Sequence, residues 1–221
     1  MPSLDEIAHR GPNVQHAHHT EWAVNVLRDA MNEGALVPGA KLSEIHIAEI
    51  LGISRNTLRQ AFMILVSQNL VEQIPNRGVF VKEPDEEQIS ELFTVRLALE
   101  STAIELAKAQ PHEELRAVVS NAKQCRADND VPGMALANQE FHRGLVALAQ
   151  SARLNRMMSA ALAEMRLLFF SMMDVPMFHA HFIDSNEELL HLVEQGETVR
   201  AQQVLREYLE SSQTYFAERI G

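Results

Sequence analysis

The chain has 221 residues, with 19 basic and 30 acidic side chains and a formal net charge of -11 when histidine is neutral. This length allows one large domain or two small ones, and 46% hydrophobic residues with few Gly and Pro exclude a disordered or collagen-like chain. No apolar run approaches the ~18 residues of a membrane span, and the single cysteine, Cys125, can form no internal disulfide. We therefore expect a globular protein of the cytoplasm.

The charge is distributed unevenly along the chain. Residues 1–82 hold seven Lys and Arg against eight Asp and Glu, whereas the rest of the chain holds 12 basic and 22 acidic residues. Because duplex DNA is a polyanion, it would repel the acidic part and leave the near-neutral part to face it. An acidic surface also confers solubility, so net charge alone does not decide the function.

The N-terminal histidines lie in a stretch without a helical pattern. Residues 1–20 contain His9, His16, His18 and His19 together with glycine and proline, and no apolar period is sustained there. Without a rigid scaffold, these imidazoles have no fixed geometry for a metal ion. The segment is therefore predicted to be a flexible arm.

Three helices are predicted next. The first begins at Glu21, where apolar residues start to recur at helical spacing. Ser43 and Ser54 are suited to cap the second and third helices, and Gly52 is suited to the left-handed conformation after the end of the second. The second and third helices are thus separated by a very tight turn.

A β-hairpin and a long helical region complete the chain. Strand patterns at 70–74 and 79–81 flank a turn, and an acidic linker follows at 83–88. Helical periodicity then predicts six helices, at 86–109, 112–127, 131–149, 152–173, 180–195 and 197–219. The sequence predicts a mainly α protein, with three helices and a small hairpin at 21–82 and an all-helical bundle of about six helices at 89–221.

The second and third helices have the pattern of a helix-turn-helix. This motif needs a small residue where the helices meet, a residue tolerant of positive φ at the turn and an apolar anchor beyond it; Ala48, Gly52 and Leu58 meet these needs. In the major groove, arginine can hydrogen-bond guanine and asparagine can hydrogen-bond adenine. Ser or Thr can bind phosphates near a helix N-terminus. A solvated polar face on an ordinary helical hairpin is the alternative. The candidate DNA-binding residues here are Ser54, Arg55, Asn56, Thr57 and Arg59.

Segments 32–44, 51–55 and 75–81 resemble the GntR family of bacterial regulators. The resemblance implies a winged helix-turn-helix whose third helix enters the major groove of operator DNA. It also implies a wing tip at Arg77 and Gly78, beside that groove.

The sequence departs from the common GntR pattern at the reading helix. Asn56 and Thr57 stand where the family commonly has Thr-Pro, and Gln60 replaces a usual Glu, so the operator sequence is expected to differ. Ile45 stands where some relatives place an Arg for phosphate contact. We therefore expect reduced affinity from the helix that carries Ile45.

The helical part resembles the effector-sensing domain of the fatty-acid-regulator subfamily, often called FCD, beginning at 96–100 and 103–107. In that subfamily, a bundle encloses a pocket for a small organic acid, frequently beside a divalent metal held by one Asp and three His. In this sequence, the positions matching that ligand set are Asn138, His142, Asn186 and Tyr208. Three of them carry an amide or a phenol, which are poor metal ligands, so we expect no metal and no other cofactor. A weak divalent site at His142 is the alternative.

The resemblance also implies an inward-facing Arg96 that pairs with the effector carboxylate. The competing interpretation is a helix-surface ion pair with Glu100, at i+4. The other four matching positions can bind an effector directly through hydrogen bonds, or they can form a satisfied polar core.

Together, these features predict a homodimeric DNA-binding transcription regulator that is not an enzyme. We expect a repressor whose operator affinity is controlled by a small organic acid bound in the helical domain, with no membrane partner. One alternative is a DNA-binding dimer whose helical domain senses nothing. Another is a metal-dependent enzyme within the bundle, against which stand the altered ligand set and the lack of a nucleophile, base and orienter at readable spacing.

Overall fold

A computed structural model describes residues 3–8, 19–169 and 176–220, and these residues group into two compact units. Among the described residues, the first unit consists of 3–8, 19–84 and 163–169, and the second of 85–162 and 176–220.

The elements of the first unit follow from local signals in the sequence. Ser43 accepts a hydrogen bond from the His46 N–H at the start of one helix, and Gly52 ends that helix in the left-handed conformation, with φ 62°. Ser54 caps the next helix, so the predicted tight turn is confirmed. The elements are α1 (Leu4–Ala8), α2 (His19–Asn32), β1 (Lys41–Leu42), α3 (Glu44–Leu51), α4 (Arg55–Ser67), β2 (Val71–Ile74) and β3 (Gly78–Val81).

The sheet has three antiparallel strands in the order β1-β3-β2. The predicted hairpin of β2 and β3 is confirmed, and its turn uses positive φ at Asn76 (61°) and Gly78 (116°). Strand β1 was not predicted because two residues carry no alternating pattern, and only pairing with β3 defines it. This pairing places Lys41 opposite Phe80.

The predicted arm at 1–20 contains helical structure. Helix α1 contacts α2 and α3, and its Ile7 and Ala8 are buried in the apolar core of the first unit. Five residues are too few to show a helical period in the sequence, so tertiary packing decides this element. His19 is the first residue of α2, while His9, His16 and His18 lie outside the described residues.

Six helices follow, and they confirm the predicted bundle. Helix α7 contacts α5, α6 and α9, and α10 contacts α5 and α9, so both α5 and α9 pack against α7 and α10. The fifth helix starts four residues before its predicted start at 180, and the predicted end of the fourth, at 173, lies outside the described residues. The helices are α5 (Glu86–Leu106), α6 (Glu113–Ala127), α7 (Val131–Ala147), α8 (Ala152–Phe169), α9 (Pro176–Glu194) and α10 (Thr198–Ile220).

The division into units differs from the contiguous domain expected at 89–221. The boundary at residue 84 lies within the predicted linker 83–88, but residues 163–169 at the end of α8 belong to the first unit. There, Ala163 and Leu167, four residues apart on one helix face, join the apolar core of that unit. Among the described helices, none has the length and apolar character that crossing a bilayer requires.

Candidate nucleic-acid interface and buried polar cluster

The start of α4 presents polar side chains to solvent. Arg55 and Asn56 are exposed, and the Arg55 guanidinium makes no ion pair or side-chain hydrogen bond with any residue the structure describes. Ser54 Oγ accepts from the Thr57 N–H at 3.1 Å and lies 2.8 Å from Thr57 Oγ1. These two hydroxyls therefore stabilise the N-terminus of α4, and their contact with phosphate stays a prediction.

Arg59, one turn further along α4, is held by the preceding helix. Its Nε donates to both carboxylate oxygens of Glu44 on α3, at 2.9 and 3.0 Å. The hydrogen bond and negative charge of Glu44 raise the pKa of Arg59. The Arg59 side chain is still 63% exposed, and neither of its Nη atoms hydrogen-bonds another described residue. One exposed arginine of α4 is thus unrestrained, and the other is restrained through Nε.

The wing carries two cations around one aromatic ring. The Arg77 guanidinium lies 5.5 Å, and the Lys41 ammonium 5.8 Å, from the centre of the Phe80 ring, distances typical of cation–π contacts. At Gly78, φ is 116°, and an added Cβ would lie 3.3 Å from Lys41 Cε. Sequence reasoning named Arg77 and Gly78 but missed Lys41, because the strand that brings it to the wing has only two residues.

In the second unit, five sequence-predicted residues meet in the interior, together with Glu100. All are at most 8% exposed. Helix α5 supplies Arg96 and Glu100, α7 supplies Asn138 and His142, α9 supplies Asn186, and α10 supplies Tyr208. We call this set the polar cluster. Its members are Arg96, Glu100, Asn138, His142, Asn186 and Tyr208.

An ion pair forms one end of the polar cluster. Arg96 Nε donates to Glu100 Oε1 at 2.9 Å, and His142 Nδ1 donates to Glu100 Oε2 at 2.6 Å. Arg96 therefore faces inward, as the resemblance implied, yet it also pairs with Glu100 at i+4, as the competing interpretation held. The surface location in that interpretation is wrong, because α5 packs this face against α7 and α10.

Burial and charge set the protonation states at this end. Burial alone would raise the pKa of Glu100, but the positive charge of Arg96 and the contacts with His142 lower it. Burial and the nearby Arg96 charge lower the pKa of His142, although Glu100 acts in the opposite direction. The geometry and these directions describe an ionised Glu100 and a neutral His142.

Amide and phenol groups form the other end of the polar cluster. The Tyr208 oxygen lies 3.0 Å from His142 Nε2 and 2.9 Å from Asn138 Oδ1, which also accepts from Asn186 Nδ2 at 2.8 Å. Burial raises the pKa of Tyr208, so its hydroxyl keeps its proton. That single proton faces two acceptors, and Asn186 Oδ1 is buried without a donor among the described residues. This end of the polar cluster therefore contains a buried acceptor, Asn186 Oδ1, that no described donor satisfies.

The side chains of the polar cluster do not form a suitable set of ligands for a divalent metal. Both ring nitrogens of His142 already contact side chains, Nδ1 with Glu100 and Nε2 with Tyr208. Across the parts of the chain that the structure describes, no three His, Cys, Asp or Glu side chains are grouped to hold a metal ion.

A separate groove of about 530 Å³ lies between α6 and α9. Its charged walls are paired: Arg116 binds Glu194 at 2.8 Å, and Lys123 binds Glu187 at 2.6 Å. None of its lining residues belongs to the polar cluster.

Comparisons with known proteins agree with this architecture. The model of the gntR family of bacterial regulatory proteins matches residues 20–81, and the FCD domain model matches residues 91–211. An uncharacterized HTH-type transcriptional regulator from the TAR-I ttuE-ttuC' intergenic region of Agrobacterium vitis is 31% identical over 66% of this chain and 88% of its own length. The "probable D-xylose utilization operon transcriptional repressor" of Paenarthrobacter nicotinovorans is 30% identical over 80% of this chain and 79% of its own.

Solved structures give the same result. A GntR transcriptional regulator from Rhodococcus sp. RHA1 superposes with a TM-score of 0.81 at 34% identity, covering 89% of this chain and 96% of that one. Escherichia coli McbR/YncC shares the fold, with a TM-score of 0.76 at 22% identity over 92% of this chain and 99% of its own. The chain therefore belongs to the GntR family of bacterial regulatory proteins, carries an FCD domain and is a DNA-binding transcription regulator.

Proposed function

We propose that this regulator is a repressor that binds operator DNA as a homodimer in the cytoplasm and releases it when a small organic acid binds in the FCD domain. A relative that is 30% identical is named as a repressor, which supports the direction of control. A dimer offers two reading helices to two half-sites, which is the usual geometry of helix-turn-helix regulators.

The DNA-binding part of this proposal rests on exposed polar groups at two places. Helix α4 offers Arg55, Asn56 and Arg59 for base edges, with Ser54 and Thr57 at its N-terminus for nearby phosphates. The wing adds Arg77, and Gly78 permits its turn. Because a bidentate arginine–guanine contact contributes about 1–3 kcal/mol of discrimination, loss of one such arginine weakens specific binding by roughly 10-fold.

The test uses an operator selected by wild-type protein from a randomised duplex library. We expect Arg55→Ala to lose specific binding in fluorescence anisotropy, while Arg143→Ala, an equal charge change at an exposed position of α7, leaves it intact. Unchanged specific binding by Arg55→Ala would refute the assignment, provided that its thermal unfolding matches wild type.

The effector part is carried by one observation: Asn186 Oδ1 is buried in the polar cluster and accepts no hydrogen bond from a described residue. A buried acceptor without a donor is costly, so Asn186 Oδ1 and the shared Tyr208 proton favour a ligand that supplies a hydroxyl or N–H. Arg96 supplies the buried cation that a carboxylate requires. The proposed effector site consists of Arg96, Asn138, His142, Asn186 and Tyr208, and it works without a metal ion.

A thermal-shift screen tests the effector site. Chelator-treated protein is heated with a panel of small mono- and dicarboxylic acids, because a ligand of the native state raises its melting temperature. We expect stabilisation of wild type and of Tyr215→Phe, whose hydroxyl is on an exposed side chain, and reduced stabilisation of Tyr208→Phe. Equal stabilisation of the two variants would exclude the polar cluster as the site.

A second candidate function is a DNA-binding dimer whose helical domain senses nothing. The direct contacts among the polar cluster side chains favour it, because such contacts also describe a structural core. It predicts that no acid in the panel shifts the melting temperature. We assign no catalytic activity to the bundle in either case.

A further inference from the structure

We propose that Glu44 is a specificity-determining residue of the DNA-binding unit: it holds Arg59 through Nε and leaves the two Nη groups to read a base. This inference rests on the proposed role of Arg59 as a base-reading residue. Glu44 itself touches no DNA in this proposal and acts as a positioning residue.

The geometry of the ion pair divides the donors of the guanidinium. Nε donates to both oxygens of the Glu44 carboxylate, at 2.9 and 3.0 Å, so it has no capacity left for DNA. The Nη1 and Nη2 groups keep their N–H donors on the side of a 63% exposed side chain. Two parallel N–H donors match the O6 and N7 acceptors of guanine.

The position of Glu44 in the fold makes it a firm anchor. It is the first residue of α3, directly after the Ser43 cap, and the ion pair joins the two helices of the helix-turn-helix across a separation of 15 residues. Its side chain is 29% exposed, which is less than half the exposure of Arg59. Arg59 therefore loses its side-chain conformational entropy on folding, and less is lost when DNA binds.

A comparison with Arg55 indicates what the anchor achieves. Arg55 has no side-chain partner among the described residues and can reach either a base or a phosphate. A freely moving arginine in the major groove gains affinity from phosphates, which carry no sequence information directly. Glu44 limits Arg59 to one direction, and its negative charge weakens binding to DNA of any sequence. Only the first effect raises the ratio of specific to non-specific affinity, because the second lowers both affinities.

The test compares Glu44→Gln with Glu49→Gln, an identical charge change at an exposed residue of the same helix. Each variant selects sites from a randomised duplex library, and its affinity is measured by anisotropy on the wild-type operator and on a scrambled duplex over a series of salt concentrations. Arg59→Ala first identifies the base pair that Arg59 reads.

For Glu44→Gln, we expect the base preference at that pair to fall at least about fivefold, because one bidentate contact loses its orientation. Affinity for the scrambled duplex rises. If the released guanidinium neutralises one more phosphate, the slope of log affinity against log salt concentration becomes steeper by about 0.9. Glu49→Gln keeps the wild-type base preference. In the Arg59→Ala background, Glu44→Gln changes base preference no further.

Two results would overturn the inference, and a third refutes the base-reading assignment beneath it. If Glu44→Gln keeps the wild-type base preference, as Glu49→Gln is expected to do, Glu44 contributes only background charge. If Glu44→Gln still alters base preference in the Arg59→Ala background, Glu44 acts independently of Arg59. If Arg59→Ala changes no base preference at all, Arg59 is not a base-reading residue, and the Glu44 inference falls with it.

Discussion

Two arginine–glutamate pairs in this molecule share a hydrogen-bond length of 2.9 Å and differ in everything around them. Arg59 and Glu44 join two helices at the surface of the first unit, with side-chain exposures of 63% and 29%. Arg96 and Glu100 lie on one helix in the interior of the second, with exposures of 1% and 0%. The exposed pair can direct a side chain while adding little stability. The buried pair cannot lose a partner without leaving a charge in a low-dielectric interior.

The largest expected effect is therefore on the buried pair. Glu100→Gln keeps the size of the side chain and removes the negative charge that Arg96 and His142 contact. Removing one partner of a buried ion pair typically costs about 3–5 kcal/mol, so we expect the free energy of unfolding to fall by that amount. Chemical denaturation measures it. A change as small as that of Glu113→Gln, whose 79% exposed carboxylate pairs with Arg116, would remove the distinction between the pairs.

Next in size is the effect of the exposed pair on DNA binding. Arg59→Ala is expected to lower operator affinity about 10-fold, the loss of one bidentate base contact, while the melting temperature stays close to that of wild type. Anisotropy and thermal unfolding of the same preparation check both parts. A large drop in melting temperature would show that the exposed pair stabilises the fold as the buried pair does.

Acidification is expected to reduce the stability that the surroundings of the buried pair contribute. The buried His142 has a lowered pKa, so below about pH 6.5 the unfolded chain takes up a proton that the folded chain does not. Stability is thus lost as the pH falls from there, and the lowered pKa of Glu100 adds a further loss below its ordinary value. His142→Asn removes the first contribution. Wild type should lose more stability than this variant between about pH 7 and pH 5, and parallel curves would contradict the assignment.

The smallest expected effect is at the wing. Lys41→Ala removes one cation beside Phe80. If that ammonium neutralises one phosphate, the slope of log operator affinity against log salt concentration becomes shallower by about 0.9. The base preference should not change, because phosphate contacts carry no sequence information directly. An altered base preference in library selection would instead give Lys41 a reading role.

Sequence patterns predicted the helices of this chain well and their contacts less well. Caps and apolar periodicity depend on neighbouring residues, so Ser43, Gly52, Ser54 and the six bundle helices were predictable. Periodicity shows that a face is buried but not against which element. Strand β1 has too few residues for a pattern, and residues 163–169 join the first unit through tertiary packing alone.

The candidate sites show the same division. The resemblance placed Arg96, Asn138, His142, Asn186 and Tyr208 in the helical part, and all five meet in the polar cluster. The Arg96–Glu100 pair was considered only as a surface ion pair, so the burial of Glu100 and its contact with His142 were missed, as was the role of Glu44, because a charged residue in a helix is ordinarily assigned to the surface. The i+4 spacing from Arg96 was the one available signal for Glu100. For Glu44, 15 residues from Arg59, the sequence held none.

The most direct test of the proposed control mechanism is release of operator DNA by a small acid. A complex of chelator-treated protein with its selected operator is titrated with the carboxylic acid panel, and anisotropy follows the release for wild type and for Tyr208→Phe. We predict that at least one acid releases the DNA without added metal, and that Tyr208→Phe needs about 10-fold more of it, as expected for loss of one buried hydrogen bond. Identical release curves for the two proteins, or release that requires a divalent metal, would contradict the account.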